Sequence, residues 1–536
     1  MSSGGTGWEG SVFEVRLGAP GHGGFCVGRH EGRVMFVRHG LPGELVRARV
    51  TEDRGGSFCR AEAIEILEAS PDRVPATCPV SGPGGAGCCD FSFATPRAQR
   101  ALKAAVVTEQ LRRLAGWETE VVVEPIPLVD NGFPSPADGG WRTRVRLAVD
   151  ADGRAGVHRY RSTEVIPDLR CPQPVPGAMS GLADRTWTPG AELVVAVDGD
   201  GLRHIVELAP PKQSGHGGAE RGSPGYGGSG RGEAGYRGAG RGSAERGGAV
   251  GGEAGRGSAG RGEAEPGDVG RGSAGRGGSA RGGAGREEVG RGEAGRGKAG
   301  RGDAGRGGDR RRNERYGNGF RAGDRRATAA RRAAAHAPRH ERVVEGSGRA
   351  VQYVAGRRWE VSATGFWQPH RGAAQCYSDV VAEWADASTG ALAWDLYCGA
   401  GVFAARLADQ VGATGSVLGV ESARSAVADG AAALRDLPWV RLTAGRVERW
   451  LGHRTGSPAP QVVVLDPPRA GAGKDVIAAT TANAPARIIH IGCDPASFAR
   501  DIALYRTAGY HPTHLRAFDA FPTTHHVECL ALLERT

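Results

Sequence analysis

A thiol and a carboxylate, each at the edge of an apolar run, are the residues in this 536-residue chain best placed to do chemistry. The stretch from Gln461 to Arg469 reads QVVVLDPPR, and the stretch from Arg487 to Asp501 reads RIIHIGCDPASFARD. Each begins as a short β-branched run of the kind that forms a buried parallel strand, then breaks into a polar loop. In open α/β sheets the loops at the carboxyl ends of the strands form the active crevice. Asp466 and Cys493, 27 residues apart, are therefore expected side by side. Near the C-terminus, FPTTHHVECLALLER places Glu528 just before an apolar strand. One thiolate and one carboxylate are the minimum for substitution at C5 of uracil, a carbon that is barely nucleophilic. Addition of the thiolate at C6 turns the ring into an enolate able to attack an electrophilic methyl group. A base then removes the C5 proton and the thiolate leaves. Cys493, in a polar loop able to hold a thiolate, is the candidate nucleophile, and Glu528 is the candidate base.

Two further strand-to-loop units lie upstream, ALAWDLYCGAGVF (Ala391 to Phe403) and SVLGVESA (Ser416 to Ala423). They complete a nucleotide-type βαβ pattern, with a glycine turn at Gly399 and Gly401 and an acid at Glu421 about 20 residues on. Glycines let a ligand approach the backbone, and an acid at the next strand end accepts hydrogen bonds from ribose hydroxyls. That geometry serves NAD and S-adenosyl-L-methionine alike. A hydride-transferring enzyme has no need of Asp-Pro-Pro-Arg followed by a strand-end cysteine, whereas a pyrimidine C5-methyltransferase needs both kinds of group. His525 and His526 read as structural residues rather than a proton relay.

Ninety glycines and a net charge of +10 are not spread evenly. Residues 212 to 342 hold 28 Lys and Arg against 15 Asp and Glu, a net of +13, which leaves −3 for the rest. In that segment a G-R-G-x-A unit recurs without apolar periodicity, so the 211–342 stretch is expected to be disordered. Arginine-glycine segments can tether RNA through charge and stacking; a solvated linker is the plainer alternative. No window approaches 18 apolar residues and no apolar run follows a basic start, so neither membrane spanning nor secretion is expected. Ten irregularly spaced cysteines do not make a disulfide framework, and the cytoplasm is the expected setting.

The elements before the insert follow from pattern. In 1–70, VFEVRL, RVMFVRHG and ELVRARV alternate apolar and polar residues between glycine-rich turns, as a small β-barrel does. With its GAPGHGG turn and LPGE corner the stretch resembles a TRAM domain, an RNA-binding module of OB-like shape. A helix is expected from Thr95 as N-cap and Pro96 at its first position, with Leu102, Val106, Val107, Leu111 and Leu114 on its apolar face and Gly116 at its end. Residues 119 to 210 read as short strands. Arg142, Arg144 and Arg146 in WRTRVRLAV would share one face, open either to RNA phosphate or to solvent. The sheet pattern resumes after the insert, so the insert interrupts a domain.

DLYCGAGVF, DPPRAG, HIGCDPASFARD and FDAFPTTHHVECLALL together resemble the consecutive motifs of the class I RNA 5-methyluridine methyltransferase family, which modifies tRNA or 23S rRNA. The resemblance covers roughly residues 10 to 210 and 345 to 536. It implies Cys493 as nucleophile, Glu528 as proton acceptor, and Gln368, Tyr397, Glu421 and Asp466 as cofactor contacts. His370, in GFWQPH, departs from the family's usual asparagine. Pattern and resemblance together give an α/β fold in five parts: a barrel at 1–70, a central α+β domain at 71–210, the insert at 211–342, which is not a family feature, a return to the central domain at 343–372, and a Rossmann-like methyltransferase domain at 373–536. Family members often carry a [4Fe-4S] cluster on a C-x5-C-x2-C group with a distant fourth cysteine. Cys78, Cys88, Cys89 and Cys171 supply four thiols here, but Ala86 stands where the second should be, and reduced cysteines are preferred to a cluster. No other metal is expected. The reading is thus a monomeric S-adenosyl-L-methionine-dependent uracil-C5 methyltransferase acting on RNA, with 23S rRNA favoured over tRNA. The alternatives are an NAD-dependent oxidoreductase and a non-catalytic RNA-binding protein.

Overall fold

Residues 7–127, 140–211, 339–454 and 456–535 are described by the computed structural model. In the N-terminal sheet, strict alternation decides which side chains go inward. β1 (Val12–Arg16), β2 (Pro20–Gly21), β3 (Phe25–His30), β4 (Arg33–Arg38), β5 (Leu45–Asp53) and β6 (Phe58–Glu68) lie in the order β1-β5-β6-β4-β3-β2. Val15, Cys26, Met35, Val37, Val46, Ala48 and Val50 fill its interior. The LPGE corner closes on itself: buried Glu44 accepts from the Leu41 N–H at 2.7 Å and from the Arg73 guanidinium at 2.6 and 2.7 Å.

Helix α1 (Pro96–Gln110) starts as its cap residues dictate, with the Thr95 hydroxyl accepting from the Ala98 N–H at 3.3 Å. It does not run on as an α-helix to Gly116. Leu111–Ala115 form one π turn, closed by Gly116 in the left-handed region at φ 57°. The extra residue in that turn rotates Leu114 off the apolar face, and it is 39% exposed rather than buried as expected.

β7 (Val123–Pro125) leaves for the large sheet described below. β8 (Arg144–Val149), β9 (Ala155–His158), β10 (Val165–Ile166), β11 (Glu192–Val197), β12 (Arg203–Leu208) and β13 (Glu341–Glu345) form a second six-stranded sheet, ordered β10-β9-β8-β11-β12-β13. β12 and β13 are antiparallel neighbours, Val206 opposite Val343, so the insert does interrupt one sheet. Residues 212–338 of the expected disordered stretch lie outside the described residues. Its last four do not belong to it: Arg339 donates to the carbonyls of Ala209 at 2.5 Å and Leu208 at 3.1 Å, and β13 starts at Glu341.

The three arginines make no common phosphate-facing row. Arg144 is buried and donates to the carbonyls of Ser362, Ala363 and Gly365 at 3.2, 3.0 and 2.7 Å. Arg142 is turned onto Gln173 at 3.0 Å, and Arg146 alone is exposed, paired with Glu192 at 3.0 Å. The turn from Ser362 to Gly365 covers that face of the strand. β14 (Arg349–Val354) and β15 (Arg357–Ser362) form a separate hairpin.

The remaining chain alternates strand and helix: α2 (Ala373–Ala385), β16 (Leu392–Leu396), α3 (Val402–Val411), β17 (Ser416–Glu421), α4 (Arg424–Ala433), β18 (Val440–Ala444), α5 (Val447–Gly452), β19 (Val462–Leu465), α6 (Gly473–Ala482), β20 (Arg487–Gly492), α7 (Pro495–Thr507), β21 (Tyr510–Asp519) and β22 (Glu528–Arg535). The sheet order is β18-β17-β16-β19-β20-β22-β21-β7, with β22 antiparallel to both neighbours. Helices cover both faces. Val462, Val463, Val464 and Leu465 are each 0% exposed, which is why this strand carries no polar alternation. No helix among the described residues is long and apolar enough to cross a membrane.

Candidate active site

Strand order reverses between β16 and β19, and the crevice outside such a reversal is where α/β sheets bind ligands. Five of the six candidate residues gather there. Tyr397 follows β16 with φ 64°, and Gly399 and Gly401 follow it at 52° and 77°. A side chain at Gly399 would meet nothing within 4 Å, so the turn faces open space. The Gly399 N–H donates to Glu421 Oε2 at 3.3 Å; Oε1 accepts from the Ala423 N–H at 2.7 Å and the Ser422 hydroxyl at 2.9 Å. These bonds fix the Glu421 carboxylate at the end of β17. Asp466 follows β19 and donates its N–H to the Leu396 carbonyl at 3.3 Å. Burial, with Glu421 nearby, pushes its carboxyl up to about 7. Gln368 is carried by another segment, the loop between β15 and α2, and makes no hydrogen bond among the described residues. The Arg144 grip on Ser362, Ala363 and Gly365 holds the start of that loop.

On the other side of the crevice the register sets Gly492 opposite Cys529, so Cys493 and Glu528 adjoin at the ends of β20 and β22. Glu528 is 2% exposed. Burial and then Asp466 raise its carboxyl well above the usual carboxylate range, while Arg469 opposes them. The Cys493 thiol is pushed up to about 12 by burial and by the Glu528 and Asp466 carboxylates, again against Arg469. The set is therefore thiol, two carboxyls and one guanidinium around one end of the sheet.

Three participants escaped the sequence reading. Asp395 lies inside β16, 0% exposed; Oδ2 accepts from the Ala404 N–H at 2.8 Å while Oδ1 has no partner. Its signal was an acid in the middle of the apolar run LAWDL. Arg469 closes the DPPR motif, to which the sequence assigned no role beyond the motif itself; its charge opposes the upward shifts of Cys493 and Glu528. Asp494 caps α7 through the Ser497 N–H at 2.8 Å and also meets His22 Nε2, from the first barrel turn, at 2.8 Å. No local pattern could have paired residues 472 positions apart.

His525 and His526 pack between the loop ahead of Glu528 and Arg469, with His526 Nε2 3.4 Å from the Arg469 guanidinium. His525 Nδ1 sits 2.5 Å from Asp90, which also binds Arg38. Burial, then His525, pushes His526 down to about 3. His370 stacks on Trp141 with centroids 5.6 Å apart, and its Nδ1 accepts from the Gly372 N–H at 3.1 Å. The loop ahead of Glu528 is tightly held: Lys103 pairs with Asp519 at 2.5 Å, and Thr523, at φ 69°, is bonded through its N–H to Gln99 at 2.7 Å and through its carbonyl to the Phe91 N–H at 2.8 Å.

Four cysteines meet beside that loop. The Cys89 thiol contacts those of Cys78 and Cys88, which raise its pKa, and Cys171 feels both Cys78 and Cys88. A [4Fe-4S] cluster takes four thiolates. Among the described residues, no group of three or more His, Cys, Asp or Glu side chains is placed to hold a metal ion. By contrast the open glycine turn and the fixed Glu421 carboxylate fit S-adenosylmethionine: the turn admits the ligand to the backbone, and the acid is oriented to accept from ribose hydroxyls.

The profile of the tRNA (uracil-5-)-methyltransferase family matches residues 349–536, and that of the TRAM domain matches residues 8–64. An uncharacterized RNA methyltransferase of Streptomyces avermitilis is 36% identical over 98% of each chain. One from Corynebacterium glutamicum is 30% identical over 98% of each. The fold is similar to that of Pyrococcus abyssi tRNA (uracil-54, C5)-methyltransferase, solved with S-adenosyl-L-homocysteine, at a TM-score of 0.55 and 15% identity, covering 97% of this chain and 100% of that one. This chain thus belongs to the S-adenosylmethionine-dependent RNA methyltransferases of the tRNA (uracil-5-)-methyltransferase family, with a TRAM domain at its N-terminal end.

Proposed function

We propose that this protein methylates C5 of a uridine in RNA, 23S rRNA in preference to tRNA, through a covalent adduct on Cys493. The observation that carries the reading is the meeting of Cys493 and Glu528 at adjoining strand ends, next to Asp466 and the glycine turn. Bound S-adenosylmethionine would supply an electrophilic methyl group, in contact with Gln368, Tyr397, Glu421 and Asp466. Cys493 first gives up its thiol proton to solvent; the thiolate Sγ then bonds to C6 and the C5–C6 electron pair moves onto the ring carbonyl as an enolate. C5 then takes the methyl group. Glu528 accepts the C5 proton, the C5–C6 double bond re-forms, and the Cys493 thiolate departs with the electrons of the C–S bond. Arg469 helps by holding positive charge near both reacting groups, which favours their ionised forms.

Nucleoside mass spectrometry tests the reading. Unmodified 23S rRNA and bulk tRNA are incubated with protein and methyl-deuterated S-adenosylmethionine. Labelled 5-methyluridine in 23S rRNA, absent with Cys493→Ala, is expected. Label on another base overturns the chemistry, and label confined to tRNA overturns the substrate.

A further inference from the structure

The turn that joins β2 to β3, His22 to Gly24, leaves the barrel and meets the chain on both sides of the catalytic crevice. On one side His22 Nε2 lies 2.8 Å from Asp494 Oδ2. Asp494 directly follows Cys493, and its other oxygen accepts from the Ser497 N–H at 2.8 Å to cap α7. Burial opposes ionisation of Asp494, but the His22 and Ser497 bonds hold its carboxyl well below the usual range. An ionised carboxylate can only accept, so His22 donates from Nε2.

On the other side Gly24, at φ 81°, approaches Asp90 so closely that a side chain there would meet its carboxyl carbon at 2.9 Å. Asp90 is 2.5 Å from Arg38 of β4 through Oδ1 and 2.5 Å from His525 Nδ1 through Oδ2. His525 stands three residues before Glu528. One barrel turn thus bears on the loop of the thiol and, through Asp90, on the loop of the carboxylate.

Those loops need holding. The sheet ladder ends at Gly492 on β20 and begins at Glu528 on β22, so Cys493 and the approach to Glu528 lie outside it. The contacts also differ from the barrel's other ion pairs. Arg16–Glu68 and Arg47–Glu65 lie on the open surface, where such pairs add little. Arg38 and Asp90 are only 10% and 3% exposed, and taking charges out of water is costly unless the geometry is closely matched. A module that only gripped RNA could be seated anywhere on the chain.

We propose that the barrel positions the catalytic pair: His22 fixes the loop carrying Cys493 and Asp90 the loop leading to Glu528, so methyl transfer depends on how the barrel is seated as well as on RNA binding. This rests on the reading of Cys493 and Glu528 as the reacting groups. The test uses the full-length protein, tritiated S-adenosylmethionine and unmodified RNA, with total label in RNA as the readout. His22→Phe keeps a ring without the donor, and His525→Phe releases the second tether while Asp90 keeps Arg38. Each should lower kcat roughly tenfold while KM for RNA and S-adenosylhomocysteine affinity stay within about twofold, since misplaced reacting groups cost rate rather than binding. His22→Gln, whose amide donates from nearly the same place, should recover kcat to within about threefold. A second measurement needs no methylation. Peptide-mapped alkylation of Cys493 by iodoacetamide at about pH 8 should be at least roughly threefold faster in His22→Phe, because the loosened loop exposes a half-buried thiol. Unchanged kcat in both Phe variants, a loss confined to KM for RNA, His22→Gln no better than His22→Phe, or an unaltered alkylation rate would each overturn the proposal. A parent protein that labels no RNA, or a Cys493→Ala variant that still does, would instead sink the reading of the reaction, and the alkylation arm would still decide whether His22 holds the loop.

Discussion

Replacing Lys103 by methionine probes how the loop ahead of Glu528 is held. The Lys103 side chain is 0% exposed and that of Asp519 5%. The ammonium donates to Asp519 at 2.5 Å and to the Phe521 carbonyl at 3.0 Å, which joins α1 to the chain that leads into β22. Burial outweighs the attraction of Asp519 and holds the Lys103 pKa below its ordinary value. Methionine preserves most of the stem's volume, so the loss is mainly electrostatic. It leaves a buried carboxylate and a buried carbonyl without partners, at a cost of about 3–5 kcal/mol. Replacing both partners, Lys103→Met with Asp519→Leu, removes both charges and should recover most of that loss. Urea unfolding followed by tryptophan fluorescence reads all three proteins. A single variant within about 1 kcal/mol of the parent, or a double variant no more stable than the single, refutes this account of the pair.

Other perturbations separate the remaining claims. Burial is the main cause that pushes His39 down to about 4 and His370 and His526 to about 3, so each is neutral in the fold and takes up a proton on unfolding below about pH 6.5. Stability is therefore full above that pH and falls as it drops toward 4; His370→Asn should flatten this limb by about 1.4 kcal/mol per pH unit, and an unchanged limb contradicts the assignment. With its thiol held near 12, Cys493 should react with iodoacetamide roughly tenfold faster per pH unit from 7 to 9 in peptide-resolved mass spectrometry, whereas a plateau below pH 8 means a thiolate already present. Deleting residues 212–338 while keeping buried Arg339 should lower the salt dependence of RNA binding in filter assays. An equal salt slope reduces the segment to a connector.

Local chemistry explains which parts of this structure were readable. A strand buried on both faces must be apolar throughout, so VVVL announced β19 and RIIHI announced β20. Thr95 and Pro96 announced the start of α1 because an exposed helix end needs a cap. Gly116 ends the helical run as expected, but the π turn over Leu111–Ala115 was missed because it is set by packing against α7 rather than by local propensity. Arg142 and Arg144 looked like a surface row because alternation gives the face of a strand but not what covers it. The crevice was legible through strand-end loops, and Asp466, Cys493 and Glu528 came together as expected. The tethers from His22 to Asp494 and from Asp90 to His525 depend on which loops become neighbours, and that is decided only by the completed fold.

The covalent role of Cys493 is tested most directly by RNA carrying 5-fluorouridine at the methylated position, incubated with protein and S-adenosylmethionine and resolved on a denaturing gel. Fluorine at C5 cannot leave as a proton, so the parent protein is expected to stop as a stable protein–RNA adduct whose peptide mass locates the bond at Cys493. Cys493→Ala should give none while retaining S-adenosylhomocysteine affinity within a few fold. Glu528→Gln should accumulate the same adduct even on ordinary uridine, because its C5 proton is not removed. A parent protein that methylates the uridine substrate yet forms no adduct with the fluorinated one, or an adduct mapped to another residue, would contradict the mechanism.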